Sequence, residues 1–572
     1  MIRFQNEWKY ILLFAKRIKF VSFSAGSVDV ENQAPYTEEN LLKRGLVMNK
    51  SVIGTKQMVV SPHYLASQAG NRILDKGGNA FDAAVAVSAC LAVVYPHMTG
   101  LGGDSFWLTF HQETKEVRVH NGSGRSGKNV TRDVYKGKSA IPLRGIDSAI
   151  TVPGMVDSWD AVLKEYGRMS LADVLEPARD YAQNGFPVSA DQCRHTETNL
   201  ELLVSTPYTA DIFTRSGQAP VPGERFVQKE LADSLNMIAE KGRSAFYEGD
   251  IAQRIVSYLQ HNGSCMTLDD FKAHRGEWTK PVSSDYRGYS VYQAPPNSQG
   301  FTGLLTLNIL ENYDFTQIEH GSFEYYHVLV EALKKSFLDR NAVLTDPAFA
   351  DIPLERLLDK NYAKRLAGEI GYLAEPAESR PVGSDTAYAA VIDADGNAVS
   401  FIQSLYFEFG SAVTAGDTGI LLQNRGSFFS LDKNHVNTLE PRKLSFHTLM
   451  PAMVCKGGKP KILYGTQGGE GQPQTQTAII TRMLDYGMHP QQAISEPRWV
   501  WGRTWGEKYE GLRVEGRFTE KTIEKLKDSG HLVEVVGDYD PLMGHAAAIK
   551  VDEEGFLQGG ADPRGDGAAV GI

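Results

Sequence analysis

Three short patterns in this chain carry residue types able to do chemistry. The stretch GSGRSGKN at 122–129 follows a strand-like segment and nearly spells the phosphate-binding pattern GxxxxGK[ST]. Its last residue, Asn129, stands where a hydroxyl would hold magnesium, and VTRDVYKGK beyond it lacks the apolar spacing of a helix that could face phosphate. A tight surface turn is therefore expected, with Arg125 available to a carboxylate. The hydrolase signatures fail as well: Ser123, Ser126 and Ser298 lack the glycines of GxSxG, and none of the fourteen histidines sits in HExxH. His63, His97, His447 and His545 accordingly read first as structural groups. The third pattern is GSDTAYAAVIDADGNAVSFIQSLYFEFGSAV at 383–413, where Thr386 opens a strand that turns at Asp395-Gly396. Taken alone, strand propensity explains a threonine there.

The elements that must position such residues are legible in outline. Residues 61–96 read as two helices broken at Gly77-Gly78, the second apolar almost all round and rich in small side chains that allow close packing. A glycine-rich MTGLGGDSFWLTF and a strand ending near VRVHN follow, then a helical middle that runs through a helix beginning near Phe323. Strand character returns after Pro381 with TAYAAVID and NAVSFIQS, and again around Pro451 and Tyr464. No repeat or low-complexity linker separates two bodies, so one large assembly is expected.

Composition narrows the partners. With 59 Lys and Arg against 69 Asp and Glu, the net charge of −10 gives no general attraction to nucleic acid or to an anionic membrane. The 42% hydrophobic content over 572 residues suffices for a large core. Cys90, Cys193, Cys265 and Cys455 form no CxxC pair and read as buried free thiols. Residues 9–23 are cut by Lys16, Arg17 and Lys19 below the length of a membrane span or a good export signal. Residues 1–47 are expected to be a flexible extension, or to precede a true start at Met48. The default location is the cytoplasm, with a secreted or periplasmic protein as the alternative.

The third pattern gains weight from its companions. GILLQNR at 419–425, YGTQGGEGQPQTQ at 464–476 and ADPRGDGAAVG at 561–571 follow it, and GGNAFDAAVA (77–86), TGLGGDSF (99–106), VPGM (152–155), DYRGY (285–289), APPNSQG (294–300) and DPAFAD (346–351) precede it. In this order, from about Ser61 to the C-terminus, they resemble the γ-glutamyltranspeptidase (glutathione hydrolase) family of N-terminal nucleophile hydrolases, nearest its short-lid, hydrolase-like branch.

That resemblance implies an α+β fold, a four-layer αββα sandwich, made as a proenzyme that cuts its own Asp385–Thr386 bond. The products would be a large subunit, 48–385, and a small catalytic subunit, 386–572, held as a heterodimer in one αββα domain, with a dimer of heterodimers possible. Thr386 would be the nucleophile and its freed amine the base; Ser404 matches the assisting hydroxyl, and Gly468 and Gly469 the oxyanion donors. Among substrate contacts, Tyr406 falls where the family has asparagine, Arg425 and Phe428 where it has the glutamine and aspartate that hold the α-amine, and His447-Thr448 where a serine pair meets the α-carboxylate. Arg125 lies two places from the family's large-subunit arginine. The acyl carboxylate is thus expected to meet Arg125, Arg425 and Thr448. The short stretch between Arg425 and His447 suggests a missing lid, and hence hydrolysis over transfer. The implied activity is hydrolysis of γ-glutamyl amides such as glutathione. An acylase or amidohydrolase acting on glutaryl cephalosporins or oxamate is the alternative, and an inactive binding homologue the second. This chemistry requires no metal or organic cofactor, and neither nucleic acid nor membrane.

Overall fold

The computed structural model describes residues 50–376, 385–502 and 509–572; the expected extension at 1–47 lies outside them. Residues Asn49–Ile572 form one compact unit. Its frame is two seven-stranded sheets, whose strands are numbered here in chain order. The first contains β2 (Met58–Ser61), β3 (Asp104–His111), β4 (Glu116–Asn121), β5 (Glu277–Thr279), β8 (Asp385–Ile392), β9 (Ala398–Tyr406) and β14 (Ala568–Gly571), in the order β14-β2-β8-β9-β3-β4-β5. The second contains β1 (Val52–Gly54), β6 (Val282–Tyr286), β7 (Tyr289–Gln293), β10 (Ala452–Lys456), β11 (Lys459–Thr466), β12 (Ala546–Val551) and β13 (Leu557–Ala561), in the order β1-β13-β12-β11-β10-β7-β6. Neighbouring strands within both sheets run antiparallel.

Strand alternation builds the layers. Along β8, Tyr388, Ala390 and Ile392 enter the core between the sheets with Met453, Leu463 and Ile549, whereas Ala387, Ala389 and Val391 face helices. Those helices include α1 (Tyr64–Asp75) and α2 (Ala80–Val94). On the outer face of the second sheet, Val454, Ile462, Tyr464 and Ala548 pack with α4 (Gly300–Leu310), α5 (Phe323–Val343) and α6 (Gly471–Leu484), α3 (Met155–Tyr166) lying on the first side. The result is the helix-sheet-sheet-helix sandwich expected. Every residue of α2 is buried, which accounts for its lack of a polar face, and a capping box between Asn79 and Asp82 starts it. Asp393, in the β8–β9 turn, accepts from the α2 amide of Ala80 at 2.8 Å and so ties the hairpin to the helix layer.

Candidate active site

The β8–β9 hairpin sets the first half of the site. Asp385 pairs with Tyr406 and Ala387 with Gln403, so Ser404 and Leu405 together stand opposite Thr386. The extra residue is a bulge in β9, a device that re-aims a side chain at a strand end. Thr386 and Ser404 are both buried, at 1% and 0% exposure. The Ser404 hydroxyl accepts from the Tyr406 amide at 2.7 Å, which holds Tyr406 at a φ of +89°. Such a backbone conformation in an aromatic residue is strained.

The second half comes from the other sheet. Gly465 of β11 has no side chain because the Tyr388 ring lies over it; a Cβ there would stand 2.2 Å from Cδ2. This contact brings the end of β11 to the start of β8, and the chain beyond it, Gln467-Gly468-Gly469, turns at that same end into α6. Gly468 and Gly469 take φ values of +124° and +49°. Their carbonyls accept from the Gly471 and Gln472 amides, at 2.5 and 3.2 Å. Among the described residues neither glycine N–H has an acceptor, so two donors sit at the positive end of a fourteen-residue helix.

A brace absent from the sequence reading fixes this loop. Gln299 donates to the carbonyls of Gly469 and Thr448, at 3.1 and 2.9 Å, and accepts from Arg340 at 2.8 Å. Arg340 also holds both carboxylate oxygens of Glu470, at 2.8 and 3.0 Å. Glu470 directly follows the glycine pair and Gln299 lies in the APPNSQG motif, a signal that could have found them.

Arg425 is 1% exposed, and among the described residues none of its three guanidinium nitrogens has a hydrogen-bond acceptor. It stacks on the Tyr406 ring at 4.2 Å and lies 5.6 Å from that of Phe428. Burial lowers its pKa to about 10, so it remains a cation at neutral pH. A buried charge without an acceptor costs on the order of several kcal/mol, a cost that an anionic ligand would remove.

Beside it lies Asp104, which faces Ser404 across β3 and β9. Its Oδ1 accepts from the amides of Gly124 and Gly154 and from Gln423, at 3.2, 3.1 and 3.0 Å. Burial nevertheless lifts its pKa to about 7, against the opposing pull of Arg425. An acid inside a glycine run, just ahead of the apolar strand SFWLTF, was the overlooked clue.

Two expected substrate contacts have partners within the chain. Arg125 is bound to Asp346 at 2.7 Å and to Glu277 at 3.4 Å, so its guanidinium is already engaged by carboxylates. His447 donates from Nε2 to Asp104 Oδ2 at 3.2 Å, and burial holds the ring well below its usual pKa. It supports the pocket from behind. Thr448, buried next to it, is anchored through its carbonyl to Gln299. The stretch between Arg425 and His447 is stitched to the body, Asn437 donating to the Phe428 carbonyl at 2.9 Å and accepting from the Phe446 amide at 3.1 Å. It forms a wall beside the site.

Two buried clusters have metal-ligand residue types, His97/Asp191/His195 and His327/Glu331/His531. In each a cationic side chain already occupies the carboxylate, Arg194 on Asp191 and Lys334 on Glu331. Among the described residues no helix is long and apolar enough to cross a membrane.

This arrangement has relatives. The chain is 94% identical over 525 residues to the glutathione hydrolase-like YwrD proenzyme of Bacillus subtilis, covering 92% of this chain and all of that one. It is 41% identical over 534 residues to the oxamate amidohydrolase proenzyme of Klebsiella pneumoniae, covering 92% and 100%. Among solved structures, cephalosporin acylase from Bacillus halodurans superposes with a TM-score of 0.85 at 35% identity, over 96% of this chain and 99% of that one. Residues 66–572 match the model of the gamma-glutamyltranspeptidase family, and the chain belongs to that family.

Proposed function

We propose that this protein is a self-processing threonine hydrolase of γ-glutamyl and related dicarboxylate amides, with glutathione the default substrate. The observation that carries the reading is the placement of Thr386 opposite Ser404 and Leu405 at the bulge, at the sandwich end where, among the described residues, two glycine amides have no acceptor.

In the precursor the Thr386 hydroxyl attacks the carbonyl carbon of Asp385, and the C–N bond gives way to an ester. Water cleaves that ester, leaving a carboxylate on Asp385 and a free α-amine on Thr386. The amine, with an ordinary pKa of about 7.7–8.0, is partly neutral near pH 7 and takes the hydroxyl proton as Oγ attacks the substrate amide. The N–H groups of Gly468 and Gly469 receive the developing oxyanion. The proton passes to the departing amine, and water then releases the acyl group. Ser404 holds the strand end in shape through Tyr406, and Arg425 receives the distal carboxylate of the acyl chain. The smaller piece, 386–572, has 187 residues.

A second reading is favoured by one observation. Phe428 and Arg425 place no anion where a γ-glutamyl ammonium would dock, and relatives named for oxamate and for cephalosporin acylation fit an acyl group without an amine. Parallel assays with γ-glutamyl-p-nitroanilide, glutaryl-p-nitroanilide and oxamate decide between them; turnover confined to the latter two assigns the second. A denaturing gel tests the shared step. Purified protein should give two bands and Thr386→Ala one band without turnover; unchanged activity in that variant would refute the mechanism.

A further inference from the structure

In the uncut precursor the nitrogen of Thr386 is still part of an amide, so it cannot act as base for its own hydroxyl. The step that frees the amine therefore needs a proton acceptor from elsewhere in the fold, and one row of the first sheet holds a candidate.

β8, β9 and β3 lie side by side in that sheet. Ser404 of β9 is directly opposite Asp104 of β3, and on its other side Thr386 of β8 stands at the bulge. Tyr388, Ile402 and Phe106, each two residues along the same three strands, pack in the core between the sheets. Strand alternation thus puts Thr386, Ser404 and Asp104 on one inner face at the sandwich end. Opposed side chains on neighbouring strands have Cβ atoms about 4.5–5.5 Å apart, within hydrogen-bonding reach of a hydroxyl and a carboxylate.

The Asp104 carboxylate has room for a proton on one oxygen. Oδ1 already accepts from the Gly124 and Gly154 amides and from Gln423. Among the described residues Oδ2 accepts from His447 alone, which leaves it a lone pair. His447 is fixed as that donor, since its Nδ1 accepts from the Leu449 amide at 3.4 Å and burial keeps the ring neutral. The bond from the Tyr406 amide uses a lone pair of the Ser404 hydroxyl and leaves its hydrogen to donate.

We infer that Asp104 is the proton acceptor of self-cleavage, acting through the Ser404 hydroxyl. The inference rests on the self-processing reading and deepens it. As Thr386 Oγ bonds to the carbonyl carbon of Asp385, its proton passes to Ser404 and the Ser404 proton to Asp104 Oδ2. When the C–N bond breaks, the same path returns a proton to the Thr386 nitrogen, so the carboxylate is restored and the amine released. Asp104 is a positioning residue, one hydroxyl away from the reacting atoms. Of the groups that face it, Arg425 stays a cation with a pKa of about 10, His447 stays neutral, and burial raises the Tyr247 hydroxyl well above its ordinary range. Asp104, lifted by burial to about 7, is the member of this set that titrates near neutrality.

The test follows loss of the precursor band on denaturing gels after brief cell-free synthesis and transfer to buffers from about pH 5.5 to 8.5. The unaltered precursor should cleave faster as pH rises, half-maximally near 7, and level off above it. Asp104→Asn should cleave about 100-fold more slowly and lose that midpoint. Ser404→Ala should also be slow, and the double variant no slower than the slower of the two, as for members of one relay. Melting curves report that each uncut variant has folded; if Asp104→Asn has not, the pH profile of the unaltered precursor decides alone. A flat profile across neutrality, cleavage of folded Asp104→Asn at the unaltered rate, or losses that multiply in the double variant overturn the inference and leave self-processing standing. If the unaltered chain stays in one band at every pH, the self-processing reading itself falls and takes the inference with it.

Discussion

Arg425 and Asp104 share one buried pocket without forming an ion pair, and the charge balance there governs what can bind. Arg425→Met should lower kcat/KM for carboxylate-bearing amides by about 30-fold or more, the usual scale for losing a buried charge-assisted contact. The melting temperature should hold or rise, because the variant no longer buries an unpaired cation. Calorimetry beside the kinetics separates the two effects. Asp104 predicts a pH dependence. Its pKa rises from 3.8 to about 7 by burial, so below about 7 the carboxyl is neutral and Arg425 is left as the uncompensated charge that greets an anion. KM for a carboxylate substrate should therefore be lowest below pH 7 and increase as pH passes through it, and Asp104→Asn should flatten that profile. Stability follows the same sign. The native state holds this proton more tightly than the unfolded one, so the contribution is complete below pH 3.8 and lost as pH rises through about 7. Melting curves of Asp104→Asn should be less pH-dependent across that window.

At the scale of elements, the loop from β11 into α6 is the most demanding piece of backbone. A Cβ on Gly468 would meet nothing closer than 3.8 Å, yet φ of +124° is closed to L-residues. Gly468→Ala should thus fail through backbone geometry rather than crowding, with self-cleavage and turnover both reduced by about 100-fold, as when an oxyanion donor is displaced. Time courses on denaturing gels would record it. The same contrast between local and distant information governs what the sequence revealed. The β8–β9 hairpin, the break between α1 and α2 and the helix from Phe323 are written in local spacing, and all three were readable. The motif order singled out Thr386, Ser404 and the glycine pair, because the chemistry proposed for them needs particular residue types. The contact of Arg125 with Asp346 was not legible, because the two lie 221 positions apart and no local pattern announces which carboxylate an arginine will find. The Gln299–Arg340–Glu470 brace and the Asp104–His447 contact were hidden for the same reason.

At the scale of the molecule, the proposed cut at Asp385–Thr386 would divide both sheets between two chains. β2, β3, β4 and β5 of the first sheet precede it, and β8 from Thr386 onward, β9 and β14 follow; in the second, β1, β6 and β7 precede and β10 to β13 follow. Processed protein should accordingly elute from gel filtration as one species containing both pieces, separable only in denaturant; elution of a free small piece under native conditions would contradict the shared sheets. The position of β2 carries this further, since both its neighbours, β8 and β14, lie downstream of the bond. An uncut polypeptide can thread that strand home by itself, at a rate indifferent to dilution. Once severed and unravelled, the halves must first meet by diffusion, each carrying raw hydrogen-bonding edges prone to clumping. Maturation would then burn the route by which the protein was assembled, and its working lifetime would be set by how slowly it comes apart.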